Sequence, residues 1–200
     1  MHDVAAVILA AGASRRFGGA KLLQEIDGEP MVRRSARAYL EAGVTKTTVV
    51  LGARASEVAR ALSGMAIGTV LNEDWDSGEM FSSVKAGLEA TGPGCRWVLV
   101  SPADLPGISA FVISTFLTAL PATPGCEVVV PSTGKRRGHP IALSGDAARL
   151  VIGWTGPAAR LDRVFSDPTV TVSYIPGFGP EVLHDVDRPE DLPRERKPDA

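Results

Sequence analysis

Arg16 and Lys21 are the first side chains in this sequence placed to do chemistry. They lie in VILAAGASRRFGGAKLL, residues 7–23, after an apolar run and a turn of small residues. Small residues let backbone N–H groups approach an anion closely. Arg15, Arg16 and Lys21 add positive charge to that turn, so the segment predicts a phosphate site. Carboxylates stand elsewhere, at Asp104 after the apolar run of residues 97–100, and at Asp185 and Asp187 near the C-terminus.

Such residues need a scaffold, and the chain alternates. Apolar segments 4–9, 47–51, 67–71, 97–100 and 127–130 read as strands. Residues 30–42, 55–62, 80–90 and 109–120 read as helices between them, with Ser109 as a cap. In the third helix Met80, Val84 and Leu88 read as the core face. Apolar rather than alternating strands predict a parallel sheet covered on both faces. Later the rhythm changes. Residues 131–140 read as a loop or hairpin, 141–143 and 170–175 as strands, and 146–152 and 158–165 as helical pieces. Residues 181–186 read as a last strand, with a helix starting at Pro189. The expectation is an α/β, mostly parallel three-layer sandwich with a C-terminal elaboration, residues 1–192 forming one domain and 193–200 a frayed tail.

Composition narrows the classes. Hydrophobic residues make up 44% and charged residues 22%, ordinary for a soluble domain. A net charge of −2 gives no reason to expect nucleic acid or an anionic membrane as partner. No apolar run approaches a membrane span. The residues before the first apolar run are Met1, His2 and Asp3, which lack the positive start of an export signal, so the expected location is cytoplasmic. Cys95 and Cys126 have no CxxC spacing and read as buried thiols.

Two common phosphate loops do not fit residues 7–23. Gly12 is followed by Gly18, Gly19, Ala20, Lys21 and Leu22, which is neither the spacing nor the hydroxyl of a P-loop. Gly12-Ala13-Ser14 lacks the second glycine of a dinucleotide fingerprint. In an open α/β sheet, ligands still gather at the carboxyl ends of strands, where this loop lies.

The order Leu9-Ala10-Ala11-Gly12, then Arg16, then Lys21, resembles the signature loop of the molybdopterin nucleotidyltransferase family and its cytidylyltransferase-like members. Asp104-Leu105-Pro106 resembles the family's Asp-x-Pro after a hydrophobic strand. Asp185-Val186-Asp187-Arg188-Pro189-Glu190-Asp191-Leu192 resembles its ending. Asn72, Trp75, Gly78, Ser82, Ser83 and the Ala86-Gly87-Leu88 triplet resemble a further stretch, although Glu79 lengthens its Gly-Met junction by one residue. Arg137-Gly138-His139-Pro140 resembles an acceptor-bordering element. Gly156 and Ala158 depart from a Gly-Asp-x-Gly-Ala-Arg element in the acceptor region.

The resemblance implies transfer of CMP from CTP to the phosphate of molybdopterin, with Mg²⁺ as cofactor and a molybdoenzyme as recipient of the product. Lys21 and Arg16 would be catalytic, and Leu9, Ala10, Ala11, Gly12, Gly78 and Ser83 would join them on the nucleotide. Arg137 and His139 would meet the acceptor, and Asp104 and Asp187 would hold the metal, with Asp185 on the same strand face as Asp187. Ala11 favours CTP, because its methyl narrows space that guanylyl enzymes leave open. Transfer from GTP, another phosphorylated acceptor, or a non-catalytic pterin carrier are the alternatives.

Overall fold

β1 (Val4–Ala10) is apolar along its length because both its faces are covered. Alternate side chains go to opposite sides. Ala6, Ile8 and Ala10 enter one buried cluster, and Ala5 and Val7 enter the other. The computed structural model describes residues 3–77, 80–91, 94–156 and 158–193. Gly78 and the tail residues 194–200 therefore lie outside the described residues.

A short hairpin follows the first loop, made of β2 (Glu25–Ile26) and β3 (Glu29–Pro30). Asp27 and Gly28 form its turn with φ of 53° and 77°, the chemistry of a type I′ turn. Pro30, expected as a helix start, belongs to this hairpin, and α1 (Met31–Glu41) begins one residue later. The chain continues through β4 (Lys46–Leu51), α2 (Ala55–Ala61), β5 (Gly68–Leu71), α3 (Met80–Thr91), β6 (Trp97–Pro102) and α4 (Ala110–Thr118). Ser109 caps α4 by accepting from the Val112 N–H. β7 (Glu127–Thr133), β8 (Arg136–Arg137), β9 (Ile141–Ser144), α5 (Gly145–Gly153) and β10 (Thr171–Pro176) complete the chain's main elements.

The sheet runs β10-β7-β9-β6-β1-β4-β5, with β8 paired to β7. β5, β4, β1 and β6 pair in parallel, as do β7 and β10. β9 is antiparallel to both its neighbours, so one reversed strand joins the two parallel parts. α1, α2 and α4 contribute Met31, Val58 and Phe116 to the cluster on one face. α3 and α5 contribute Val84, Leu88 and Val151 to the other. The result is an α/β three-layer sandwich. Its parallel centre brings the loops after β1 and β6 to one edge, with Arg16, Lys21 and Asp104 on them.

Three further expectations need correction. Residues 181–186 do not form a strand: Pro180–Val182 is a 3₁₀ turn followed by irregular chain. The buried residues there are Val182 and Val186, four apart, so the segment has no two-residue alternation. Helical structure within residues 158–165 is limited to a 3₁₀ turn at Leu161–Phe165. Met80 is 66% exposed rather than core, and its neighbour Phe81, 8% exposed, enters the cluster with Val84 and Leu88 instead. The described chain contains no helix long and apolar enough to cross a membrane.

Candidate functional site

Past β1 the chain turns without regular structure, and its amides are left without acceptors. Among the described residues the N–H groups of Gly12, Ala13, Ser14, Arg15 and Arg16 make no intramolecular hydrogen bond. Ser14 adopts a left-handed φ of 51°, and the Phe17 N–H closes the turn on the Ser14 carbonyl at 3.1 Å. A run of unpaired amides in such a turn is an anion-binding concavity. A Cβ on Gly12 would enter open space, so glycine there keeps the mouth of the loop clear. Ala11 behind it is 4% exposed and lies against Gly52. These residues line a cavity of about 430 Å³ together with Leu9, Arg16, Lys21, Ser83, Asp104 and Asp187.

The charged groups meet at one side of that cavity. Lys21 Nζ lies 2.5 Å from Asp104 Oδ2 and 3.9 Å from Asp187 Oδ1. Arg16 Nη1 donates to Asp187 Oδ2 at 2.9 Å. The Lys21 side chain is only 10% exposed, and that of Arg16 is 80% exposed. Asp104 Oδ1 is buried and has no partner among the described residues. A buried carboxylate oxygen without a donor is an unmet demand for positive charge. That oxygen, with the Asp187 carboxylate across Lys21, fits a divalent cation completed by phosphate oxygens. No three His, Cys, Asp or Glu side chains among the described residues gather to hold a metal alone.

Asp187 reaches the site because the C-terminal chain is clamped. The Val186 N–H donates to the Asp104 carbonyl at 2.9 Å, and the His139 N–H to the Val182 carbonyl at 2.8 Å. Val182 packs on Gly138, where an added Cβ would fall 2.5 Å from Val182 Cγ2 and 2.9 Å from its carbonyl oxygen. Gly107 makes room for Glu181 in the same way, with a Cβ distance of 2.9 Å. Asp191, not Asp187, caps the turn at Pro189–Asp191, its Oδ2 accepting from the amides of Asp187 and Arg188. The Asp187 side chain is thereby left to Arg16 and Lys21. Gly138→Ala is expected to cost about 1–3 kcal/mol by overpacking. Turnover should fall further than that loss explains, because the strap carrying Asp187 must shift. Thermal unfolding beside kcat checks this, and an unchanged melting temperature would show that the strap is not pinned there.

The other wall comes from α3. Asn72, 4% exposed after β5, donates through Nδ2 to Ser82 Oγ and Ser83 Oγ, both at 2.9 Å. It ties the start of α3 to the sheet and turns Ser83 to the cavity. Trp75 and the exposed Met80 also line the cavity. Asn72 and Trp75 stood in the sequence pattern without a role, and the signal for Met80 was its position at a helix start beside a glycine loop.

Arg137, His139 and Asp185 are not brought into this cavity. The Arg137 guanidinium lies over the Phe165 ring at 4.1 Å. Burial holds the His139 imidazole below the usual histidine pKa, and its buried Nδ1 has no partner among the described residues. Asp185 faces a second cavity of about 640 Å³ with Arg136 and His184. The shared face expected for Asp185 and Asp187 fails because the chain between them is not a strand.

The sequence matches the MobA-like NTP transferase domain over residues 6–168. A probable molybdenum cofactor guanylyltransferase of Opitutus terrae is 32% identical over 108 residues, 54% of this chain and 50% of that protein. The chain thus spans about half the length of that curated relative. A nucleotidyl transferase from Methanothermobacter thermautotroptrophicus has the same fold, with a TM-score of 0.79 and 24% identity, covering 94% of this chain and 93% of that one. Rv0371C of Mycobacterium tuberculosis H37Rv, solved in complex with manganese, gives a TM-score of 0.72 at 23% identity, covering 94% and 95%.

Proposed function

The chain belongs to the MobA-like NTP transferase domain family, and from that premise we propose that it transfers CMP from CTP to the phosphate of molybdopterin, with or without molybdenum, releasing pyrophosphate. One observation carries the transfer reading. The loop of residues 12–16, with its unpaired amides, lines one cavity together with Lys21, Asp104 and Asp187, and Arg16 and Lys21 contact the two acids there. In this reading residues 1–192 work as one unit, and a molybdoenzyme receives the product.

Attack by one phosphate on another needs alignment and charge neutralisation more than a base. The loop amides hold the triphosphate, while Lys21 and Arg16 neutralise it and the charge that develops on the leaving pyrophosphate. Asp104 and Asp187 would hold Mg²⁺, which when bound would supply Lewis-acid stabilisation of phosphate oxygens. The unpartnered Asp104 Oδ1 supports that assignment, and the manganese complex of the mycobacterial neighbour is consistent with a divalent cation. Leu9, Ala10, Ala11, Gly12, Gly78 and Ser83 are assigned to the nucleotide, and Arg137 and His139 to the acceptor's surroundings.

CTP is favoured by Ala11. Its buried methyl fills space against Gly52 at the cavity floor, and glycine there would leave room for a larger base. The name of the Opitutus terrae relative favours a second reading, transfer from GTP. Pyrophosphate release measured with molybdopterin, Mg²⁺ and either nucleotide separates them. The expected result is release with CTP; release with GTP alone overturns the base assignment. Release only with a different phosphorylated acceptor overturns the pterin, and ligand binding without release from either nucleotide favours a carrier.

A further inference from the structure

Arg16, Lys21, Asp104 and Asp187 form a closed set of two cations and two carboxylates. Lys21 is inserted between the acids, and Arg16 covers the outer oxygen of Asp187. The set has no net charge, and the Lys21 side chain, 10% exposed, is largely removed from water. A divalent cation approaching Asp104 Oδ1 meets the Lys21 ammonium already on Oδ2 of the same carboxylate. A triphosphate changes that balance. It offers both cations new acceptors next to unpaired amides on the same loop. Once they turn to phosphate, the two carboxylates need a replacement for the positive charge they lost.

We propose that Lys21 competes with the divalent cation for Asp104, so that metal and triphosphate enter this site as one coupled unit. The inference rests on the reading of Asp104 and Asp187 as metal acids. It goes beyond that reading by giving Lys21 two opposed effects: it attracts phosphate and repels metal until phosphate is present. Coupling is reciprocal, so the metal must strengthen triphosphate binding by the same factor that the triphosphate strengthens metal binding.

Mn²⁺ binding to the full chain, followed by paramagnetic resonance without nucleotide, tests this. Lys21→Met is expected to bind Mn²⁺ more tightly than the wild type, by roughly 5–150-fold if the coupling has the usual size. In the wild type, inorganic tripolyphosphate should raise Mn²⁺ affinity by a similar factor, after correction for the complex formed in solution. That probe has no base, so the result does not depend on the choice between CTP and GTP. Lys21→Gln keeps a donor to Asp104 without the charge, and should show the same gain if Lys21→Met folds poorly. Equal or weaker Mn²⁺ binding in both variants overturns the competition. Asp104→Asn added to Lys21→Met should remove the gain. If tight binding survives that second change, Asp104 is not the metal acid and the reading beneath the proposal fails instead.

Discussion

Asp104→Ala is expected to lower kcat by about 10³-fold in a protein that still folds. The acid sits just past β6, at the parallel edge of the sheet, and one oxygen holds Lys21 at 2.5 Å. The other oxygen is buried and has no partner among the described residues, so it demands more positive charge. In the proposed reading, losing the acid removes a ligand for a Lewis acid worth several kcal/mol, and about 4 kcal/mol in a barrier is about 10³ in rate. Stability should suffer much less. Breaking a fully buried ion pair costs about 3–5 kcal/mol. Here the side chains are 10% and 19% exposed, and Lys21 keeps Asp187 at 3.9 Å, so the expected loss is about 1–2 kcal/mol. Asp104→Asn separates charge from shape: it fills the same space and should lose nearly as much kcat. Steady-state pyrophosphate release beside thermal unfolding reads both effects. A folded variant with kcat within a few-fold of wild type would remove Asp104 from the chemistry and leave the transfer to other residues.

The residues that carry this argument were legible to different degrees. The order of Gly12, Arg16 and Lys21 after an apolar strand pointed to phosphate, and Asp104 to the same sheet edge, because parallel strands send their following loops to one side. Their pairing, 83 residues apart in sequence, follows from that topology. Other features depend on contacts that no local pattern records. Asp185 and Asp187 look like alternating strand residues, yet Val182 and Val186 are the buried anchors, and the acids face different cavities. The reversed direction of β9 is set by pairing with β6 and β7, since a buried strand reads the same in either direction. Met80 continues the apolar spacing of Val84 and Leu88, but Phe81 is the residue buried with them, a choice between adjacent apolar residues that spacing alone does not make. The Asp27-Gly28 turn carried a clear local signal and is the one missed element that turn chemistry alone identifies.

Gly87→Ala should destabilise the protein although it improves helix propensity. Gly87 faces the sheet from the middle of α3, over β1 and β4. Alanine in a helix interior is favoured over glycine by about 1 kcal/mol, so at an open position the change would stabilise. Here an added Cβ would fall 2.2 Å from Val7 Cγ1 and 2.9 Å from Val50 Cγ2. Both valines are fully buried, and β-branched side chains have little freedom to turn aside. Overpacking of this kind costs about 1–3 kcal/mol, and the closeness of Val7 argues for the upper end, so packing outweighs propensity by about 2 kcal/mol. For a chain of this size the melting temperature should fall by roughly 4–8 °C. Relief at Val7 provides the decisive test. Val7→Ala alone leaves a cavity and destabilises, but combined with Gly87→Ala it vacates the space the new methyl needs. The double variant should therefore lose less stability than the two single losses added, a positive coupling of contacting sites. The helix that would lift also carries Ser83 and Met80 to the cavity, so the nucleotide KM should rise in Gly87→Ala and recover in the double variant. Additive losses, or a gain in stability from Gly87→Ala alone, would show that α3 does not lie this close to the sheet.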